Sequence, residues 1–237
     1  MNTLLEQIYK TSKVEDAEGK KINPFPTATP QDVAIILQEQ VKQYNAQNTL
    51  EIGMAYGLST LAICQAHHEK GTGSHTAIDP SQRKNWKSIG LLNIKRAGLE
   101  DRFRFIESPS YTALPQLLAA EEKFDFAFID GNHLFDYALL DFFYIDKLIQ
   151  VGGYIMFDDL WMPSVRKAVS FVLRNRAYKL VKIKTDASFY LRFYRIIRRM
   201  IQTPINVETR LKFIPNNVCL VQKIAKDKRR WDFHHSF

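Results

Sequence analysis

From Thr49 onward, short apolar runs alternate with longer stretches whose apolar residues recur at helical spacing. The runs are Leu50 to Gly53, His75 to Asp79, Arg102 to Glu107, Phe124 to Asp130 and Tyr154 to Asp158. Runs this short, separated by helices, indicate right-handed βαβ crossovers and so a parallel sheet covered on both faces. Upstream, Thr29 can cap a helix with Pro30 at its first position, and Val33, Ile36, Leu37, Val41 and Tyr44 give that helix one buried face. Phe135 to Ile149 is apolar on nearly every side and reads as a buried core helix. Past Pro163 the pattern predicts a helix to about Arg174, a strand near Leu180 to Lys184 and a last strand near Val218 to Ile224. The expected fold is therefore α/β, a doubly wound, mostly parallel seven-stranded sheet with helices on both faces.

Two segments fall outside that alternation. Residues 1–28 are polar, and Asn23-Pro24-Phe25-Pro26 blocks regular structure, so they read as an arm laid over a domain of residues 29–237. Residues 185–216 form an insertion. Within it Phe189, Phe193, Ile196, Ile197 and Met200 fall on one helical face and Arg192, Arg195 and Arg199 on another, and the apolar face is the one expected to be buried.

Composition narrows the class. A chain of 237 residues that is 46% hydrophobic and 24% charged can bury one core, which excludes a disordered chain and a string of small modules. Cys64 and Cys219 stand far apart, which excludes a disulfide scaffold and a thiolate zinc site; both read as inert. With no stretch approaching the ~18 apolar residues of a membrane span, a reducing, cytoplasmic setting is expected. The net charge of +8 hides an asymmetry: residues 1–160 carry 15 basic and 21 acidic side chains, and residues 161–237 carry 18 and 4. A basic tail with aromatic residues suits nucleic acid, acidic lipid or a phosphorylated substrate, or simply forms a solvated face.

The candidate chemistry sits at the carboxyl ends of the strands, where open α/β sheets bind ligands. Glu51-Ile52-Gly53-Met54-Ala55-Tyr56-Gly57-Leu58-Ser59 places glycines where a backbone can approach a ligand, ahead of a helix N-terminus. Asp79 ends the next strand, where a carboxylate can accept both hydroxyls of a ribose. Position 55 is Ala where a dinucleotide fingerprint has its second glycine, so one nucleoside fits better than a nicotinamide dinucleotide. Asp130, Asp158 and Asp159 end two strands expected to lie side by side. Like charges so close need a counter-charge, which makes them candidate ligands for a divalent cation, Mg²⁺ or Mn²⁺ given hard carboxylate donors. Asp130-Gly131 also suits an ordinary turn and Asp159 a helix cap, while His133, expected just inside the helix after the fourth strand, suits either a structural role or that of a base.

Taken in order, Leu50-Glu51-Ile52-Gly53 with Gly57 and Ser59, Ala77-Ile78-Asp79-Pro80, Phe128-Ile129-Asp130-Gly131-Asn132-His133, and Gly152-Gly153 followed by Phe157-Asp158-Asp159 resemble the class I S-adenosylmethionine-dependent methyltransferases. The branch is that of small-molecule O-methyltransferases, nearest the bacterial type 24 methyltransferases, and the likeness covers roughly residues 30–175. It implies a Rossmann-like sheet with the last strand antiparallel and S-adenosylmethionine as cofactor. It further implies that Glu51, Gly53, Gly57, Ser59, Asp79, Ser108 and Asp130 contact the cofactor, with Glu51 and Gly53 at its methionine end, Asp79 at the ribose and Ser108 near the adenine. Asp130 and His133 become the catalytic candidates, His133 as base. One departure is Pro109, which stands where an acid is common and offers no side-chain acceptor to the adenine amine.

The expected activity is methyl transfer to an oxygen of a small-molecule acceptor, assisted by the divalent cation. Two other readings stay open: a nucleic-acid methyltransferase using the basic last third, and a cofactor-binding protein that acts through a partner. The absence of an Asn-Pro-Pro-Tyr strand end disfavours nucleic-acid base methylation, and retention of three sheet-end aspartates disfavours a dead enzyme. The acceptor and a homo-oligomeric state are not legible from the pattern.

Overall fold

The computed structural model describes residues 1–183, 189–202 and 207–237. In chain order the elements are α1 (Thr3–Thr11), β1 (Val14–Glu15), β2 (Lys21–Ile22), α2 (Gln31–Gln43), β3 (Asn48–Ile52), α3 (Leu58–Lys70), β4 (Ser74–Ile78), α4 (Ile89–Arg96), β5 (Phe103–Ile106), α5 (Ser110–Ala119), β6 (Phe124–Ile129), α6 (Phe135–Leu148), β7 (Ile149–Phe157), α7 (Pro163–Asn175), β8 (Tyr178–Val181), α8 (Phe189–Gln202) and β9 (Cys219–Lys223). Seven strands form one sheet in the order β5-β4-β3-β6-β7-β9-β8. All neighbours are parallel except β9, which runs antiparallel to both β7 and β8. The expected doubly wound sheet with an antiparallel last strand is what forms.

β6 shows why the apolar runs become central strands. Phe126 and Phe128 point to one face, against Val33, Leu37 and Ile63 of α2 and α3. Ala127 and Ile129 point to the other, against Leu114, Phe142 and Val169 of α5, α6 and α7. A strand buried on both faces has no polar position to spare, so it reads as a continuous apolar run. The chain leaves β3 toward β4 and β5 on one side and returns to β6 and β7 on the other. The crevice between the carboxyl ends of β3 and β6 is thus the topological switch point. Among the described residues no helix is long and apolar enough to cross a membrane.

Three local expectations are corrected. Residues 1–28 are not an irregular arm: Asn2 caps α1 by accepting from the Leu4 N–H at 3.0 Å, and Leu5, Ile8 and Val14 join Met54, Leu58 and Leu61 in the core. Leu5 and Ile8 carry a helical stripe that the polar composition masked, and the prolines act only after β2. Pro30 rather than Thr29 is the N-cap of α2, because Thr29 is drawn inward with its carbonyl accepting from the Tyr9 hydroxyl. In α6, Leu140 and Phe143 are exposed, so the helix is buried on one side only.

The largest departure is α8. Tyr194 is 60% exposed and Met200 51%, whereas Arg199 is 2% exposed. Phe193, Ile197 and Met200 point out, whereas Arg199 is buried and Arg195 half-buried; Arg192, one turn earlier, stays exposed. The cause is a neighbouring segment: the Ile214, Pro215 and Asn216 carbonyls lie outside helix and sheet and need donors, which Arg195 and Arg199 supply. Lys184, residues 185–188 and 203–206 of the insertion, and the Phe189 side chain, all part of the expectations above, lie outside the described residues.

Candidate active site

Gly53 ends β3 with φ +89°, and a Cβ there would lie 2.1 Å from the Asp130 carbonyl oxygen. Only glycine lets the ends of β3 and β6 approach this closely, and the contact fixes the floor of a cavity of about 550 Å³ at the switch point. Asp79 reaches it from the end of β4. Its Oδ2 accepts from the Met54 and Ala55 amides at 3.0 and 2.9 Å, its Oδ1 from the Ser81 amide at 2.7 Å, and it is 3% exposed. The carboxylate therefore shapes the glycine loop, holding Ala55 at φ +44°, and keeps unused lone-pair capacity on the cavity side.

The opposite wall carries Asp130, His133, Asp158 and Asp159. His133 lies in the loop before α6, not inside the helix; the Asn132 side chain turns that loop by accepting from the Leu134 amide. His133 Nε2 stands 3.3 Å from Asp130 Oδ1 and 3.0 Å from Asp159 Oδ2. Asp159, at φ +50°, is further held by the Trp161 indole and the Asn217 amide, which donate to its Oδ1 at 2.7 and 3.1 Å. Ligand atoms of Asp130, His133 and Asp159 all fall within 4.8 Å of one another. Asp158, at the end of β7, is buried beside them with Oδ1 unpartnered.

The electrostatics follow from this crowding. Contact with Asp130, then Asp159, pushes His133 up to about 10 against the effect of burial. Burial pushes Asp130 up to about 6, although His133 opposes the rise. Asp158 is driven well above the usual carboxylate range by burial and then by Asp130 and Asp159. Burial would also raise Asp159, but His133, Trp161 and Asn217 hold it low. Three carboxylates thus share the one positive charge of His133.

Gly53, Asp79, Asp130, His133, Asp158 and Asp159 line one cavity. Glu51, Gly57, Ser59 and Ser108 are not among its lining residues. Glu51 is fully buried beneath the floor, accepting from Thr60 at 2.5 Å and His75 at 3.2 Å, with Oε1 unpartnered. Gly57 and Ser59 start α3, and the Ser108 hydroxyl donates to the Pro109 carbonyl while Pro109, Ser110 and Tyr111 form the wall. Sequence reasoning missed two aromatic pairs, Tyr56 with Trp86 and Tyr111 with Tyr137, and the Pro26 to Pro30 stretch that closes one side. Tyr56 lies inside the glycine loop and could have been flagged; Tyr111 and Tyr137 stand in the first turns of α5 and α6, and Trp86 and the Pro26 to Pro30 stretch in loops, none with a local signature.

A family model described as a methyltransferase domain matches residues 50–160. Over 185 residues the chain is 32% identical to a caffeoyl-CoA O-methyltransferase of Populus kitakamiensis, covering 70% of this chain and 74% of that protein. The chain belongs to the class I methyltransferases, in the O-methyltransferase branch. A second relative of this methyltransferase is the tapetum-specific methyltransferase 1 of Arabidopsis thaliana, 36% identical over 153 residues. The chain spans 63% of that relative's length, under two thirds. Among solved structures, the Bacillus cereus O-methyltransferase in complex with S-adenosylhomocysteine aligns with a TM-score of 0.62 at 22% identity, over 76% of this chain and 83% of that one. The Streptomyces achromogenes O-methyltransferase TomG, in complex with S-adenosylmethionine, aligns with a TM-score of 0.65 at 15% identity, over 95% and 91%. At these identities the two structures establish the shared fold.

Proposed function

We propose that this protein transfers a methyl group from S-adenosylmethionine to an oxygen of a small hydroxylated acceptor, with a divalent cation at Asp130, Asp158 and Asp159. The observation that carries the reading is the meeting, in one cavity, of the Gly53 and Asp79 cradle with the Asp130, His133 and Asp159 cluster. The relatives' names, caffeoyl-CoA O-methyltransferase and flavonoid 3',5'-methyltransferase among them, support an aromatic hydroxyl as the acceptor group. The domain proposed to do this is residues 29–237, with residues 1–28 as a folded N-terminal arm whose Pro26 to Ala28 end closes the cavity.

The donor set suits the cation. Carboxylate oxygens with one imidazole nearby and no sulfur favour Mg²⁺ or Mn²⁺. The unpartnered Asp158 Oδ1 marks a buried acceptor awaiting a partner. Held by these carboxylates, such an ion would lower the pKa of an acceptor hydroxyl. S-adenosylmethionine supplies an already activated methyl group. The chain's own residues then have three tasks. The Gly53 loop receives the methionine end of the cofactor, and Asp79, which shapes that loop, holds the ribose. Tyr56, Trp86, Tyr111 and Tyr137 exclude water and orient flat groups. His133 Nε2, facing the carboxylates and pushed up to about 10 by them, holds its own proton while their charge is uncompensated, and would become the base for the acceptor's proton once a cation took over that charge.

Calorimetry with S-adenosylhomocysteine, followed by labelled methyl transfer to a panel of hydroxylated aromatic acceptors with and without Mn²⁺, tests the reading. Asp79→Ala is expected to weaken cofactor binding by roughly 2–4 kcal/mol, from the lost charged acceptor and the freed loop. No binding of S-adenosylhomocysteine by the wild-type protein overturns the proposal.

A further inference from the structure

The basic surplus of the last third is concentrated in an unusual place. Arg166, in the first turn of α7, is fully buried; it donates to the carbonyls of Leu160 at 3.0 Å, Trp161 at 2.5 Å and Gln202 at 3.4 Å, and its Nε has no acceptor. Arg199 is nearly as buried, donates to the Ile214 and Asn216 carbonyls, and also has an unpartnered Nε. Beside them Arg195 contacts the Pro215 carbonyl at 3.5 Å and Asp32 at 3.4 Å, and Arg198 lies 5.6 Å from the centroid of the Trp161 ring. Among the described residues, Asp32 is the one carboxylate within ion-pair distance of any of the four.

Carbonyls satisfy hydrogen bonds but do not cancel charge, and a buried charge without a counter-ion is costly. The strain registers on the groups themselves: burial, then Arg166 and Arg195, pulls Arg199 down to about 10. Arginine still keeps its proton at neutral pH; among the described residues only Asp32 offsets the cluster, and a bound anion would relieve it. A cavity of about 330 Å³, bounded by Trp161, Tyr194, Arg195, Arg198, Arg199 and Asn217, is open to receive one. Trp161 and Asn217 are the same residues that donate to Asp159 on their other side. One indole therefore separates the arginines from the proposed reaction centre.

We infer that this cavity is an oxyanion site, taking a phosphate or carboxylate that the acceptor carries at a distance from its reacting hydroxyl. Guanidinium forks match the paired oxygens of either group, and Trp161, whose indole N–H donates to Asp159 of the first cavity, lines this one together with Tyr194. The site itself stands independently of the methyl-transfer reading; its assignment to the acceptor rests on that reading.

The test uses the full chain with inorganic phosphate titrated at constant ionic strength against chloride, read by calorimetry without cofactor. Saturable binding is expected. A variant carrying Arg195→Gln and Arg198→Gln should bind phosphate at least tenfold more weakly while its affinity for S-adenosylhomocysteine stays unchanged. In turnover, that variant should raise KM at least tenfold for a phosphate-bearing hydroxyaryl acceptor, with kcat and the KM of the matched neutral acceptor unmoved. Absence of saturable phosphate binding, or equal binding by the variant, overturns the site. Phosphate binding with equal KM changes for charged and neutral acceptors overturns the link to the acceptor and assigns the site to a free anion. Loss of S-adenosylhomocysteine binding in the wild-type protein would instead strike the methyl-transfer reading and leave the phosphate result legible.

Discussion

Replacing Gly53 by alanine puts the β3–β6 contact to the test. The new Cβ would sit 2.1 Å from the Asp130 carbonyl oxygen and 2.7 Å from its carbon, both backbone atoms that cannot swing aside. The φ of +89° adds a second cost. A left-handed backbone costs a non-glycine residue about 1–2 kcal/mol, and overpacking typically adds about 1–3 kcal/mol. Together they predict a loss of about 2–5 kcal/mol. Relief requires the ends of β3 and β6 to part by roughly 1 Å, judged against ordinary carbon–oxygen contact. That movement would loosen the hydrogen bonds of Gly53 to Ile78 and of Asp130 to Ile52, each 2.9 Å. Gly71→Ala is the control: Gly71 caps α3 at φ +72° with nothing within 4 Å, so it bears only the backbone cost. Urea unfolding should place Gly53→Ala at least 1 kcal/mol below Gly71→Ala with an unchanged m-value, and calorimetry should show S-adenosylhomocysteine binding at least tenfold weaker in Gly53→Ala alone. Equal unfolding midpoints and equal affinities for the two variants would refute the steric argument.

Three further outcomes are expected. Asp141, 1% exposed on α6, is pushed by burial from 3.8 to about 6. Its native state therefore binds the proton more tightly, and stability falls as pH rises from about 4 through 6. Asp141→Asn should exceed the wild type by up to about 3 kcal/mol at pH 7.5 and match it at pH 4, at 1.36 kcal/mol per pKa unit, in paired denaturation curves. Asp146 is buried between Arg176, the Tyr178 hydroxyl and Lys223, so Asp146→Ala leaves the buried Lys223 without a counter-charge and Arg176 with Asp227 alone, and should cost about 3–5 kcal/mol; a loss under 1 kcal/mol in chemical unfolding would refute the pairing. Mn²⁺ titrated into chelator-stripped protein should bind at least tenfold more weakly to Asp159→Ala than to the wild type, whereas Asp16→Ala, which removes a carboxylate paired with Lys87 outside the cavity, should leave binding unmoved.

The sheet and its ligand edge were legible in the chain because both follow from local periodicity. Runs such as Phe124 to Ile129 can satisfy their side chains only when covered on two faces, and parallel strands with helical crossovers leave one order of connection hand. The same periodicity places Gly53, Asp79, Asp130, Asp158 and Asp159 at strand ends. Tertiary structure decided what each of these groups faces. Asp79 proved to be tied to the Met54, Ala55 and Ser81 amides, which no spacing announces. His133 proved to bridge Asp130 and Asp159, because the Asn132 turn and the φ of +50° at Asp159 aim three loops at one point. Helical spacing identified the two faces of α8 correctly but not which one is buried. Amphipathicity fixes the stripes on a helix, whereas the demand of the Ile214, Pro215 and Asn216 carbonyls for donors, made by residues distant in sequence, turned Arg195 and Arg199 inward. Periodicity speaks for interactions within an element, and the fate of a polar group depends on partners that only the folded chain brings within reach.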